Sequence, residues 1–309
     1  MNDEVGYGKG PPSVSPASEA PPDRGRDVTV SSDRAQLLSA TAATVDTVDV
    51  GGISTSVLSH GDGPPLVLLH GAIECGGVIW SPVIDALASH HRVIVPDAPG
   101  LGESAPVDRL DLDTFSSWLR GLLATMDVDR PVLVAHSLLG SMAARFALAH
   151  PDALSRLVLG GAPAVGPYRM PGRLRYVAIR FAIRPTPANA ERFQRFALLD
   201  LDAARRRDPA WFAAFDGYTR ARARERQVKR TMNHLVRTQT KPMADDDLRA
   251  IAVPTTLFWG RHDRMAPLAI AQHAADTYGW PLHVIEDAAH VPQIESPRRL
   301  VEVVTSALG

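Results

Sequence analysis

The 309-residue chain is 45% hydrophobic and 22% charged, with a formal net charge of -1 and a single cysteine. Its length and apolar content exclude disorder throughout and suit one large domain, or a core carrying an insert. One cysteine, Cys75, excludes an internal disulfide and any cysteine-built zinc or iron–sulfur site, so a cytoplasmic protein is expected.

The first 22 residues hold five prolines (Pro11, Pro12, Pro16, Pro21 and Pro22) among Gly, Ser and acidic residues, without the apolar stretch of a secretory signal. Residues 1–44 are expected to form a disordered tail, with room for a short helix around Asp33 to Leu38, because they offer too little apolar surface to offset the entropy of ordering. Thr47 to Leu58 places β-branched residues on either side of Gly51-Gly52, the pattern of a hairpin. A turn cluster follows at Gly61 to Pro65, then a short wholly apolar run, Leu66 to Leu69, as expected of a strand buried on both faces. Even the longest such runs fall far short of the ~20 residues that cross a bilayer, and no membrane span is expected.

Alternation then sets in. Helix is expected over Val78 to Ser89, strand over Arg92 to Pro96, helix over Leu112 to Met126, strand over Pro131 to Ala135, helix over Leu138 to His150 and strand over Leu154 to Gly160. It resumes with strand Thr255 to Trp259, helix Leu268 to Tyr278, strand Leu282 to Glu286 and a closing helix from Pro297 to Leu308. Strands alternating with helices imply right-handed crossovers and an α/β fold, a mostly parallel sheet covered by helices on both faces. Residues 45–166 and 248–309 are assigned to this core, and residues 167–247, helical in composition with Pro-rich edges, to an inserted helical lid.

Counting charge by segment divides the chain. From Tyr168 to Leu248 there are 16 Arg and 2 Lys against 9 acidic residues, a surplus of +9, which leaves the remainder at -10. The dense runs, Arg205-Arg206-Arg207 and Arg220 to Arg226, spread charge around a helix instead of gathering it in one stripe, so a solvated face is the default expectation. The functional alternative is a field that draws in an anionic or carrier-bound substrate. Nucleic acid is not expected as a partner, since no binding motif or interleaved aromatic residues accompany the arginines.

In Ala135-His136-Ser137-Leu138-Leu139-Gly140 a serine stands where a buried strand turns sharply into a helix. That turn lifts the hydroxyl clear of the sheet at its carboxyl edge and aims the positive end of a helix, with the Leu138 N–H, at the same point. A serine needs a base to become a nucleophile, and the base needs a carboxylate to hold its tautomer. Asp263, in Trp259-Gly260-Arg261-His262-Asp263, and His290, in Asp287-Ala288-Ala289-His290, both follow strands, and the order Ser137, Asp263, His290 suits this architecture.

With these motifs stand Leu69-His70-Gly71-Ala72, the loop Pro96 to Ser104 (Pro-Asp-Ala-Pro-Gly-Leu-Gly-Glu-Ser) and His290-Val291-Pro292-Gln293-Ile294-Glu295. In this order the chain resembles the α/β-hydrolase-fold superfamily, and within it the serine-nucleophile hydrolases with a helical lid, from about Val48 to Leu308. The resemblance implies Ser137 as nucleophile, His290 as base and Asp263 as its orienting acid, with the Ala72 and Leu138 N–H groups forming the oxyanion hole. By the same resemblance Ile73 and Trp80 are expected to line the acyl side of the pocket, with membership of the core as the equal alternative. Leu139 departs from the small residue usual at its position and is expected either to displace the helix slightly or to shape the pocket wall. Serine at 137 argues against the epoxide hydrolases and haloalkane dehalogenases of this fold, which place an aspartate there.

Simpler readings stand beside these. Ser137 is also a good helix N-cap, and Asp97 competes for the acid role, although its counterpart in relatives holds the loop from Gly100 to Ser104. Cys75 is read as a small apolar filler. No cofactor or metal is expected: Gly100-Leu101-Gly102 lacks the rest of a dinucleotide fingerprint, and the histidines lack metal-ligand spacing. The expected activity is hydrolysis of an ester, lactone or thioester-type bond of a small, partly apolar molecule through an acyl-enzyme. The rivals are acyl transfer, elimination or C–C cleavage by the same triad, and an inactive ligand-binding member of the fold.

Overall fold

The computed structural model describes residues 28–72 and 76–308. Helix α1 (Val28–Leu38) precedes an antiparallel hairpin of β1 (Thr44–Val50) and β2 (Ile53–His60), closed at Gly51 and Gly52. This corrects the expected tail for residues 28–44: α1 is longer than the short helix allowed for, Leu37 on it is fully buried, and Arg34 donates to Ser56 Oγ at 2.9 Å. A single anchoring leucine leaves no periodic stripe in the sequence. Residues 1–27 lie outside the described residues.

Six parallel strands follow: β3 (Pro65–Leu69), β4 (Arg92–Pro96), β5 (Val132–His136), β6 (Arg156–Gly160), β7 (Thr255–Gly260) and β8 (Leu282–Ile285). Among the described residues the sheet runs β1-β2-β4-β3-β5-β6-β7-β8, with β2 antiparallel to β4. Helices α2 (Ser81–Ala88), α3 (Leu112–Thr125) and α4 (Ser137–Ala149) follow β3, β4 and β5 in turn. After β6 come α5 (Gly172–Ile183), α6 (Pro187–Ala197), α7 (Leu201–Arg207), α8 (Pro209–Arg222), α9 (Arg226–Gln239) and α10 (Asp245–Arg249), which interrupt the alternation. Helix α11 (Ala269–Tyr278) follows β7, and α12 (Pro292–Glu295) and α13 (Pro297–Leu308) follow β8. Within the described residues, no helix is long and apolar enough to cross a membrane.

Alternation within the strands builds two cores. Val67, Leu69, Leu133 and Ala135 face one layer with Phe115, Trp118 and Phe146, while Leu66, Leu68 and Val134 face the other with Trp80, Val83 and Val304. Both faces are apolar, which is why these strands read as unbroken hydrophobic runs. From β3 the chain crosses to β4 on one side, whereas β5 lies on the other. The loops leaving β3 and β5 therefore part, opening a crevice at the carboxyl ends of the strands.

Asp97, just after β4, organises the wall of that crevice. Its carboxylate accepts from the Gly77 N–H at 2.6 Å and the Glu103 N–H at 2.8 Å, and its carbonyl accepts from Ser104 Oγ at 2.7 Å. Gly102 has φ +52°, and any Cβ there would run into the Asp97 carboxylate, so only glycine serves. The Asp97 carboxylate is thus committed to backbone donors that hold the Gly100 to Ser104 loop. Asp97→Ala leaves the buried Gly77 N–H without an acceptor, at roughly 1–3 kcal/mol, and the half-buried Glu103 N–H, which water can reach, at less. The expected result is a stability loss of about 2–4 kcal/mol in chemical denaturation, with the fold retained well under the melting temperature.

Candidate active site

Three loops at the carboxyl edge bring Ser137, His290 and Asp263 together. Ser137 is the first residue of α4, and His136 before it is the last of β5, so strand passes to helix without a linker. The cost is local: Ser137 has φ +56°, a left-handed conformation worth roughly 1–3 kcal/mol of strain in a residue with a side chain. Asp263 follows β7, and its loop is pinned by Trp259 Nε1, which donates to the Ala266 carbonyl at 2.7 Å. His290 follows β8 on the loop leading into α12.

His290 Nε2 lies 3.0 Å from Ser137 Oγ, and His290 Nδ1 lies 2.8 Å from Asp263 Oδ2. A carboxylate only accepts, so Nδ1 carries the proton and the Nε2 lone pair faces the serine hydroxyl. The other Asp263 oxygen, Oδ1, accepts from the N–H groups of Met265 at 2.8 Å and Ala266 at 2.9 Å. All three residues are buried. Asp263 is therefore a buried carboxylate with three N–H partners, which is what makes its charge tolerable there.

The surroundings hold the imidazole in place. His136 Nε2 donates to the His290 carbonyl at 2.7 Å, and the two rings lie 4.8 Å apart. Burial, with the neighbouring His290 adding to it, pushes His136 well below the ordinary imidazole range, so it stays neutral. Gly161, just after β6, has φ +57°, and a Cβ there would approach His290 Cε1 to 2.9 Å. His70 sets the β3 loop: its Nδ1 donates to the Gly71 carbonyl at 2.6 Å and its Nε2 accepts from the Ala98 N–H at 3.1 Å. Ala72 is buried at the end of that loop, and Leu138 stands on the cavity wall beside Ser137.

For Trp80 the structure takes the core alternative, and for Leu139 the pocket-wall reading is corrected. Trp80 and Leu139 are fully buried members of the two hydrophobic cores and do not line the cavity next to Ser137. Gly140, in place of residue 139, makes the close approach of helix to strand: a Cβ there would stand 3.1 Å from both the Ala135 carbonyl oxygen and Ala162 Cβ. Leu139 is thereby free to point into the core. Ile73 and Cys75 lie outside the described residues.

The cavity itself, about 350 Å³, is walled mainly by the inserted helices. Leu174 and Phe181 of α5, Phe193 of α6 and Met232 and Val236 of α9 form its apolar body, with Ser137 and His290 at its floor. Arg175, Lys229 and Arg237 also line it, and no carboxylate does among the described residues. The sequence singled out none of these: Arg175, Lys229 and Arg237 belong to the basic surplus of the segment but lie outside its dense runs at 205–207 and 220–226. No group of three or more His, Cys, Asp or Glu among the described residues stands where it could hold a metal ion.

Sequence reading also gave no role to Glu295, although it closes one of the motifs. Its Oε1 accepts from the Leu199 N–H at 2.5 Å, and its Oε2 from the Ala289 N–H at 2.9 Å, beside His290. The His290 N–H donates to the Ala197 carbonyl at 2.9 Å. The histidine loop and the end of α6 are thus stitched together.

A parallel sheet with a strained serine at a strand-to-helix turn, hydrogen-bonded through a histidine to an aspartate, defines the class. Residues 64–297 match the family described as the alpha/beta hydrolase fold, and the chain belongs to it. Over 271 residues it is 27% identical to the pimeloyl-[acyl-carrier protein] methyl ester esterase of Aeromonas hydrophila subsp. hydrophila, covering 83% of this chain and 100% of that one. Over 276 residues it is 28% identical to the 2-hydroxy-6-oxo-2,4-heptadienoate hydrolase of Pseudomonas putida, covering 84% and 94%. The naproxen esterase (carboxylesterase NP) of Bacillus subtilis shares the fold with a TM-score of 0.79 at 20% identity, over 91% of this chain and 98% of that one.

Burial pushes the Glu295 carboxyl from about 4.5 up to about 7, and the nearby Asp263 charge adds to the shift against backbone N–H groups that oppose it. The folded state then binds more protons than the unfolded chain between those values, so stability falls as pH rises through that window. The Glu295 contribution is full below pH about 4.5 and lost once the pH passes 7. Glu295→Gln is expected to remove roughly 3 kcal/mol of that pH dependence, measured from urea midpoints across the window; an unchanged slope would refute the assignment.

Proposed function

We propose that the protein is a cofactor-free serine hydrolase acting on an ester, lactone or thioester-type carbonyl of a small, partly apolar molecule. The carrying observation is the chain from Ser137 Oγ through His290 to Asp263, at 3.0 and 2.8 Å, on the floor of an apolar cavity. In this reading His290 Nε2 takes the hydroxyl proton as Oγ attacks the carbonyl. The Ala72 and Leu138 N–H groups, the latter at the positive end of α4, hold the oxyanion. His290 returns its proton to the leaving group, and a water deprotonated at the same Nε2 then releases the acid. The helices of residues 167–247 act as a lid that fills the rest of the cavity wall and covers the apolar part of the substrate.

Arg175, Lys229 and Arg237 favour a substrate with a negative charge away from the reacting carbonyl. The names of the relatives agree with this, one acting on a carrier-protein-linked ester and the other on a carboxylate. The second relative also favours a rival reading. Hydrolysing a ketone breaks a carbon–carbon bond, and the same triad and anionic preference would serve it.

Ser137→Ala is expected to lower kcat by about 10⁴-fold or more and to abolish labelling by a fluorophosphonate probe, read by intact-protein mass. Labelling of the alanine variant, or turnover equal to the parent, would overturn the mechanism. Between an anionic ester and a neutral one of equal acyl length, only the anionic one should lose kcat/KM with added salt. Equal salt dependence would remove the anionic preference but leave the hydrolase reading intact.

A further inference from the structure

Helix α5 buries Leu174 and Phe181 toward the protein, yet its outward side is apolar as well. Tyr176, Ile179 and Ile183 are 58%, 51% and 67% exposed. Spacings of three and four put them in one stripe along the helix, opposite the buried pair. Ile179 also reaches the cavity, but Tyr176 and Ile183 do not line it, and a surface helix that has already buried one face ordinarily turns polar residues to solvent.

The charge around the stripe is equally one-sided. From Tyr168 to Ala190 there are five arginines (Arg169, Arg173, Arg175, Arg180 and Arg184) and no Asp or Glu. Arg195, Arg205, Arg220 and Arg222, on the neighbouring helices, form ion pairs with carboxylates. Among the described residues the five around α5 have no such partner. Arg175 and Arg180 flank the stripe on opposite sides, and Arg180 is held at its edge, its guanidinium 5.6 Å from the Tyr176 ring centroid and donating to Tyr176 Oη at 2.9 Å.

We propose that α5 docks this protein on the surface of a bilayer containing anionic phospholipid, with Tyr176, Ile179 and Ile183 entering the acyl boundary and the arginines meeting the phosphates. An apolar stripe flanked by arginines, whose long stems follow it while their heads reach the headgroups, is the composition of an interfacial helix. Pairing of two copies through the same stripe would bring two unpaired arginine sets together and is disfavoured. Arg175, Ala178, Ile179 and Ala182 also line the cavity, so docking would set its mouth against the lipid. On the hydrolase reading above, an amphiphilic substrate then reaches Ser137 with little exposure of its apolar part to water.

The full chain is to be floated with phosphatidylcholine vesicles containing phosphatidylglycerol, and with pure phosphatidylcholine vesicles. At least tenfold greater recovery with the anionic vesicles, falling as salt is added, is expected. Tyr176→Ser/Ile183→Ser, which alters the stripe but no cavity residue, should lose at least tenfold in binding while keeping the parent's melting temperature and its turnover of a short soluble ester. A parent that does not float, or a double variant that floats equally well, overturns the proposal. So does a parent that sediments as a dimer while the variant is monomeric, because a second copy then covers the stripe. Flotation reads no ester chemistry, so loss of the hydrolase reading would leave this result standing, and the reverse.

Discussion

The buried carboxylate of Asp263 is the constraint on which the rest of the site hangs. An ionised carboxylate removed from water is costly unless its oxygens are fully engaged. Here Oδ1 takes the Met265 and Ala266 N–H groups and Oδ2 takes His290 Nδ1. Two of those partners fix the turn after β7, and the third fixes the loop after β8. The imidazole then has one tautomer and one direction, with Nε2 toward Ser137. The serine must meet it from a third strand end, and the left-handed turn at Ser137 is the strain that this meeting requires.

The inserted helices are bound into this arrangement, not laid over it. Ala197 accepts from the His290 N–H, and Glu295 spans Leu199 and Ala289. Arg264, next to Asp263, donates to the carbonyls of Arg195 and Leu198. On the opposite side of the crevice, buried Arg222 of α8 donates to the Gly102 carbonyl and lies 3.7 Å from Glu103, which also accepts from Tyr218. Displacing the end of α6 would therefore pull on the backbone of the histidine itself. On the side of α5 and α9 the cavity walls carry Arg175, Asn233 and Arg237 in exposed positions.

What could be read from sequence follows from which interactions are local. The parallel strands were legible because burial on both faces makes them apolar throughout; β4 spans Arg92–Pro96 as expected. The meeting of Ser137, Asp263 and His290 was legible because each sits at a strand end in a fixed chain order. The cavity was not, because its lining depends on how α5, α6 and α9 dock. Trp80 and Leu139 illustrate the difficulty: a side chain next to a site in sequence turns into the core when another residue, here Gly140, makes the close backbone contact. Only the end of helix α1, Asp33 to Leu38, was allowed for, because its hold on the body is tertiary, through Leu37 and through Asp33, which packs so closely on Gly217 that a Cβ there would collide with it. Glu295 was quoted within a motif, but its partner Leu199 is nearly a hundred residues away in the chain, and no local pattern predicts that contact.

The basic surplus is where sequence and structure have to be argued together. Spread around individual helices, as the runs at 205–207 and 220–226 suggested, the arginines look like a solvated face. Much of that holds: Arg205 lies near Glu191 and Asp202, Arg220 pairs with Asp216, and Arg222 with Glu225. Those charges are largely cancelled within a few ångströms and add little to any distant field. Among the described residues several cations outside these pairs, Arg192, Arg207 and Arg224 among them, lie elsewhere in the inserted segment, but Arg175 of α5 and Lys229 and Arg237 of α9 line the cavity, where no carboxylate faces them. A summed charge of +9 thus separates into an internally paired part and a directed part, and only the directed part can attract anything. Near-neutrality of the whole chain conceals this, because the acidic remainder is distributed over the core and the attraction is set by what lies within a Debye length of the opening, about 8 Å at physiological salt.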